Sequence, residues 1–259
     1  MKDRYGEVSL RRDGHVALLE IDRPPHNHVN VDLICDLADA LEDIDEARDL
    51  RAIVLASTGK NFCAGADLVS SSRLDVGEGD GVESLYQQAV RLFSAKKPIV
   101  AAVQGAAVGA GLGLALVADF RVAAPEARFV ANFVKLGFHP GFGITYTLPR
   151  LIGEQKAALM CLTGRRIKGE DALGWGLVDE LVPLEKLREA ALALAREIAE
   201  NAPLAVEATR ATLRDALAAK VKAQTDKELA LQTALRKTAD YAEGVRAVAE
   251  RRPGNFTGA

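Results

Sequence analysis

Cysteine is scarce in this chain: Cys35, Cys63 and Cys161 are the only three in 259 residues, and no two form a CxxC pair. An odd number at wide spacing excludes a disulfide framework and reads as reduced thiols, so a cytoplasmic protein is expected. Aromatic residues are few as well, with 8 Phe, 4 Tyr and 1 Trp, which argues against stacking platforms for single-stranded nucleic acid. There is no basic surplus. Lys and Arg number 33 against 36 Asp and Glu, and the pI is ≈ 5.9, the wrong balance for an electrostatic nucleic-acid binder. No apolar stretch follows Met1-Lys2-Asp3-Arg4-Tyr5, so no signal peptide is expected. One charge-free run exists, residues 99–118. Pro98 starts it, Gln104 lies inside it, and Gly105, Gly109, Gly111 and Gly113 break it, so it reads as a buried strand, a turn and a helix rather than a membrane span. The same glycines do not make a dinucleotide fingerprint, because Leu114 stands where GxGxxG needs glycine. No Walker A sequence occurs, and no motif asks for a metal.

What the chain does have is alternation of strands and helices. Val8-Ser9-Leu10 and the run from His15 to Ile21 flank Asp13-Gly14, a hairpin signal. Two prolines keep Arg23-Pro24-Pro25-His26-Asn27-His28-Val29 irregular. Asn30 then caps a helix carrying Ile34, Leu37, Ala38, Leu41 and Ile44 on one face. Ala52-Ile53-Val54-Leu55-Ala56, Ile99 to Val103, and Phe120-Arg121-Val122-Ala123 are apolar runs suited to buried strands. Residues 70–81, rich in Ser, Gly and Asp, read as a mobile surface loop, and residues 84–93 as a helix. The pattern predicts an α/β fold. From about Pro183 the texture becomes helical: residues 184–251 predict about three helices interrupted only at Pro203, with residues 205–228 apolar on one side and charged on the other. That apolar side suits packing on the chain's own core or a subunit contact.

Two glycine-rich turns follow buried strands. They are Asn61-Phe62-Cys63-Ala64-Gly65-Ala66-Asp67-Leu68 and Gln104-Gly105-Ala106-Ala107-Val108-Gly109-Ala110-Gly111-Leu112-Gly113-Leu114. Small residues let a ligand approach the backbone, and a helix starting near Ala110 would aim free N–H groups at it. Two such amides from separate turns can hold a developing oxyanion.

In this order the turns resemble those of the crotonase (enoyl-CoA hydratase/isomerase) superfamily. The resemblance extends through Arg23-Pro24, Val29-Asn30, Ile53-Val54-Leu55 and Lys97-Pro98-Ile99. It continues in Ala127-Arg128-Phe129, Leu162-Thr163-Gly164-Arg165 and Ala172-Leu173-Gly174-Trp175-Gly176-Leu177-Val178. It implies a crotonase-like spiral of ββα units over residues 1–182 and a helical C-terminal trimerisation region over residues 183–259. The assembly implied is a homotrimer or a hexamer built as a dimer of trimers. The substrate implied is an acyl-CoA, with coenzyme A arriving as part of the thioester and no separate cofactor. By position the two oxyanion amides are those of Ala66 and Ala110. Ala64, Gly65, Asp67 and Leu68 of the first turn and Gly109 of the second flank the thioester, with Asp67 read as a capping residue. Arg23 is expected to face coenzyme A phosphate, with Lys60 a weaker choice, and His28 to lie near the coenzyme. Phe133 and Phe138 are expected in an apolar acyl pocket, with Phe62 and Phe129 as further possibilities that core packing explains equally well.

Departures from the family pattern limit the chemistry. The two glutamates that handle water in hydratases correspond to Gly113 and Phe133 here, and the aspartate of related isomerases and dehalogenases to Gly141. With no paired carboxylates, ordinary hydration is expected to be very slow. Gly137-Phe138-His139-Pro140-Gly141-Phe142-Gly143 looks, with a one-residue gap, like the naphthoate-synthase-like loop that carries an acid/base aspartate where His139 stands. His139 is therefore the expected acid or base, and a loop strut is the alternative. Isomerisation, C–C bond hydrolysis, decarboxylation, thioester hydrolysis and acyl-CoA binding without turnover all remain open.

Overall fold

Arg4–Tyr5 (β1), Val8–Asp13 (β2) and Val16–Ile21 (β3) are antiparallel neighbours, with β2 and β3 joined at the expected Asp13-Gly14 turn. The structure is a computed structural model and describes residues 1–66 and 81–259. From β3 onward the sheet is parallel. Ala52–Ser57 (β4), Ile99–Val103 (β5), Phe120–Ala123 (β7) and Glu180–Leu181 (β10) add in turn, giving seven strands in the order β1-β2-β3-β4-β5-β7-β10. A second sheet stacks Ala106–Val108 (β6), Arg128–Val130 (β8) and Arg166–Lys168 (β9), with β6 and β8 parallel.

Both faces of the large sheet are covered, and this is why its strands read as continuous apolar runs. Ile53 and Leu55 of β4 face the main core, which also contains Leu33, Ile34, Leu37 and Ile44 of helix Val31–Glu46 (α1). Ala52, Val54 and Ala56 face the other way, with Val16, Val100, Ala102 and Val122, against helix Leu187–Ala199 (α7). That helix offers Leu187, Ala191, Ala195 and Ala199 at four-residue spacing, and the three alanines let it lie close to the sheet. Asn30 caps α1 as expected, its Oδ1 accepting from the Leu33 amide at 2.9 Å. At the other end of α1 the buried Lys97 ammonium donates to the Ile44 and Ala47 carbonyls, satisfying last-turn acceptors.

The charge-free run resolves into β5, β6 and helix Ala110–Val117 (α3), and no described helix is long and apolar enough to cross a membrane. Helix Gly81–Phe93 (α2) includes the segment expected from residue 84 onward. The Ser/Gly/Asp-rich stretch ahead of Gly81, together with Asp67 and Leu68, lies outside the described residues. Ile144–Ile152 (α4), Glu154–Thr163 (α5) and Gly169–Gly174 (α6) complete the middle of the chain.

The C-terminal part departs from the expectation in number. It holds four α-helices: α7, Pro203–Leu213 (α8), Leu217–Leu235 (α9) and Ala239–Ala249 (α10). The unforeseen break falls between Arg214 and Ala216, where Ala216 takes a left-handed conformation at φ +54°. It also splits residues 205–228, so no single helix carries an apolar side there. Asp119 ties α8 to the sheet by accepting from Arg210 Nε at 2.9 Å and from the Ile99 amide at 2.8 Å, while also accepting from Arg214 Nη1 at 2.7 Å.

Candidate active site

The two glycine-rich turns meet across an interrupted ladder. The Cys63 amide donates to the Ala106 carbonyl at 2.9 Å, and the Val108 amide to the Cys63 carbonyl at 3.0 Å. Gly111 permits the approach, because a Cβ there would collide with the Cys63 carbonyl oxygen. Gly109 turns the chain into α3 at φ +54°, a conformation that L side chains rarely adopt. Buried amides brace the first turn. Asn27 Nδ2 donates to the Thr58 and Asn61 carbonyls, each at 2.9 Å, and Gln104 Nε2 donates to the Ser57 carbonyl at 3.0 Å. Cys63, wholly buried under this turn, has its thiol pushed up to about 12 by burial, so it is a packing residue.

The result is one cavity of about 390 Å³ with Ala66 and Ala110 in its wall. Among the described residues no acceptor takes either of their amide protons. Ala110 is the first residue of α3, where an N–H has no intrahelical partner. Of the residues expected at the site, His28, Ala64, Gly65, Gly109, Phe133, Phe138 and Gly141 also line the cavity. Phe133 and Phe138 pack edge to face with centroids 5.5 Å apart, forming an apolar flank. Phe62 and Phe129 are fully buried away from it, as core residues.

Two expected residues are not brought to the cavity. Arg23 is held by Glu7 at 2.9 Å and donates to the His28 carbonyl at 2.8 Å, so it shapes the chain beside the site instead of standing in it. His139 does not line the wall. Its Nδ1 faces the Pro140 carbonyl at 2.7 Å, and its own carbonyl accepts from Gln232 Nε2 at 2.7 Å. The short turn at Pro140 directs the imidazole back onto its own loop.

The three empty carboxylate positions are filled by aromatic groups. A Cβ on Gly113 would meet the Phe142 ring at 2.5 Å, so Phe142 occupies the space a side chain there would need. Gly141 leaves room for the Tyr86 hydroxyl in the same way. Phe133 lines the cavity directly. No Asp or Glu is among the described lining residues. The polar side chains there are His28, Tyr86, Asn132 and Arg236.

Tyr86, Gln232 and Glu228 are absent from the sequence-derived set. Tyr86 Oη donates to Gln232 Oε1 at 2.8 Å, and burial raises its pKa, keeping the phenol neutral. Glu228 accepts from the Gly143 amide at 2.7 Å and the Thr145 amide at 3.1 Å, at the N-terminus of α4. Burial raises its pKa too, against those hydrogen bonds. Together Glu228 and Gln232 of α9 clamp the loop from His139 to Gly143 that floors the cavity. A sequence signal exists for them: Val221, Thr225, Glu228 and Gln232 follow the four-three-four spacing of a helix face, and all four are buried.

This fold, with two glycine turns meeting over one cavity, places the chain in the crotonase class. The chain belongs to the enoyl-CoA hydratase/isomerase family, whose pattern it matches over residues 11–259, and it is an acyl-CoA-processing enzyme of that family. It is 41% identical over 216 residues to a probable enoyl-CoA hydratase of Mycobacterium tuberculosis, covering 82% of each chain. It is 34% identical over 249 residues to the 1,2-epoxyphenylacetyl-CoA isomerase of Escherichia coli, covering 94% of this chain and 95% of that one. The crystal structure of an enoyl-CoA hydratase/isomerase from Pseudoalteromonas atlantica superposes with a TM-score of 0.86 at 29% identity, over 97% of this chain and 100% of that one.

Proposed function

We propose that the enzyme binds the carbonyl of an acyl-CoA between the Ala66 and Ala110 amides and catalyses a reaction through an enolate or tetrahedral oxyanion without carboxylate-activated water. One observation carries this reading: Ala66 and Ala110, whose amides have no described acceptor, line the same cavity, and its described wall holds no carboxylate. Oxyanion stabilisation then supplies the main barrier reduction, a few kcal/mol per donor. Tyr86 is kept neutral by burial and its hydroxyl donates to Gln232, so it is not a base. With no carboxylate in the described wall to activate water, decarboxylation or C–C cleavage, and isomerisation after them, are favoured over addition of water. The coenzyme part lies toward His28 and Ala64, with the exposed Lys60 near the same turn available to its phosphates.

Incubation with crotonyl-CoA, 3-hexenoyl-CoA, malonyl-CoA and a β-ketoacyl-CoA, with products read by mass, tests the proposal. Crotonyl-CoA hydration at an ordinary enzymatic rate, about 10 s⁻¹ or faster, would refute it. Binding of all four with no product would make the chain an acyl-CoA-binding relative without catalysis. A trimer or hexamer belongs to the same proposal: Leu162, Leu204 and Leu213 are at least 74% exposed and suit a subunit contact. A monomer in light scattering at micromolar concentration would remove that part.

A further inference from the structure

Arg236 is the one cation among the described residues lining the cavity, and no described lining residue neutralises it. It closes α9 at the C-cap, and its guanidinium lies over the Phe138 ring at 5.5 Å. Its Nε is buried with no hydrogen-bond partner, and Nη2 reaches only Gln232 Oε1 at 3.5 Å, an oxygen that already accepts from Tyr86 at 2.8 Å. No carboxylate among the described residues pairs with it. A half-buried guanidinium with an idle donor, held by a ring stack in a described wall without a carboxylate, is arranged to receive an anion from outside the chain.

The position indicates which anion. Phe133 Cζ lies 3.6 Å from where a Cβ of Gly109 would stand, next to the Ala110 amide. Phe138 packs on Phe133, and Arg236 packs on Phe138. Two aromatic rings therefore separate the guanidinium from the oxyanion amides. The coenzyme is assigned to the turn of Ala64 and His28, which adjoins Ala66, whereas Phe133 and Arg236 line the same cavity from other elements. An acyl chain starting at the amides and running along Phe133 and Phe138 ends at Arg236.

We propose that Arg236 selects acyl-CoA substrates whose acyl group ends in a carboxylate, that is, dicarboxylic acyl-CoAs. The proposal rests on the acyl-CoA reading above. Phosphate of the coenzyme is the other source of an anion, and the test separates the two.

Calorimetric affinities of CoA, hexanoyl-CoA and adipoyl-CoA, which share a six-carbon acyl length where one is present, are measured on the native chain and on Arg236→Gln and Arg236→Lys. The native chain should bind adipoyl-CoA about 10- to 100-fold more tightly than hexanoyl-CoA, the range expected for charge-assisted hydrogen bonds. Arg236→Gln should bring that ratio close to one, and Arg236→Lys should retain part of it. Equal affinity of the native chain for the two acyl-CoAs overturns the proposal and leaves the acyl-CoA reading standing. Acyl-CoAs binding no better than CoA overturns both. A loss in Arg236→Gln shared equally by CoA, hexanoyl-CoA and adipoyl-CoA assigns Arg236 to coenzyme phosphate and also overturns it.

Discussion

Replacing Ala110 by proline removes a single atom from the proposed machinery, the amide hydrogen of one oxyanion donor. Most such deletions are impossible without damage, because a backbone N–H is usually paired. Here the amide belongs to the first residue of α3, where proline is well tolerated in helices and no intrahelical bond is lost. Ala110 is half-buried and lines the cavity, so the added ring has the ligand space to enter. Losing one oxyanion donor costs about 10²- to 10³-fold in turnover, equivalent to about 2.7–4 kcal/mol. The proline Cδ also sits where the carbonyl oxygen would lie, so the loss should reach the upper end. Stability should change by less than about 1 kcal/mol, a melting shift of about 2–4 °C for a chain of this size. Three measurements on one variant decide the matter: turnover of whichever thioester the native enzyme converts, affinity for hexanoyl-CoA against CoA, and thermal unfolding. Turnover and hexanoyl-CoA affinity within about threefold of native, with unfolding unchanged, would show that Ala110 is no oxyanion donor.

Glutamates at positions 113 and 133 should not by themselves create a hydratase, since Phe142 occupies the space beside Gly113. Gly113→Glu should cost at least about 1–3 kcal/mol by overpacking, and crotonyl-CoA hydration should rise only when Phe142→Gly is added to the Gly113→Glu/Phe133→Glu pair, as ultraviolet loss of the enoyl thioester would report. His139→Ala should keep turnover within about threefold of native, because the imidazole is not in the cavity wall; a loss of 10²-fold with unchanged melting would return it to the mechanism. Acid titration of stability should expose Asp119. Burial opposes its ionisation, yet Arg210 and Arg214 with the Ile99 amide outweigh it and hold its pKa below the ordinary value near 3.9. Its stabilisation is therefore complete above that value and is lost as pH falls through the lower native pKa, so Asp119→Asn should be less stable at pH 7 by about 3–5 kcal/mol and flatter between pH 4 and 2 in chemical denaturation.

The strands, the Asn30 cap and the two glycine turns were legible because each is set by neighbours in sequence. An apolar run of five residues needs no partner to declare a strand covered on both faces, and Asn30 finds its amide three residues away. The aromatic flank was legible as well, since Phe133 and Phe138 follow the second turn closely. Tyr86 and Gln232 were not: they meet across 146 positions, and each is polar where periodicity arguments look for apolar residues. The buried stripe of α9 shows the reason. Glu228 and Gln232 occupy core-facing positions because the loop they hold presents unpaired backbone groups and not side chains, so its partners must be polar, while Thr225 returns its hydroxyl to the Val221 carbonyl of its own helix. The placing of His139 outside the described wall was not legible for the converse reason, since proximity in sequence to Gly141 and Phe142 does not fix which way a ring turns at a proline.

The lining of the cavity runs from His28 to Ala249, so its walls come from both ends of the chain. During synthesis, at about 5–20 residues per second, the glycine turns and the sheet are complete long before α9 and α10 leave the ribosome. Until they do, the loop from His139 to Gly143 lacks Glu228 and Gln232, and the pocket lacks Val245, Val248 and Ala249. A nascent chain stalled before α9 would have its sheet, both glycine turns and Phe133, but a pocket open on the side that Arg236, Val245, Val248 and Ala249 close, so ligand rescue of folding defects should be strongest for the finished polypeptide.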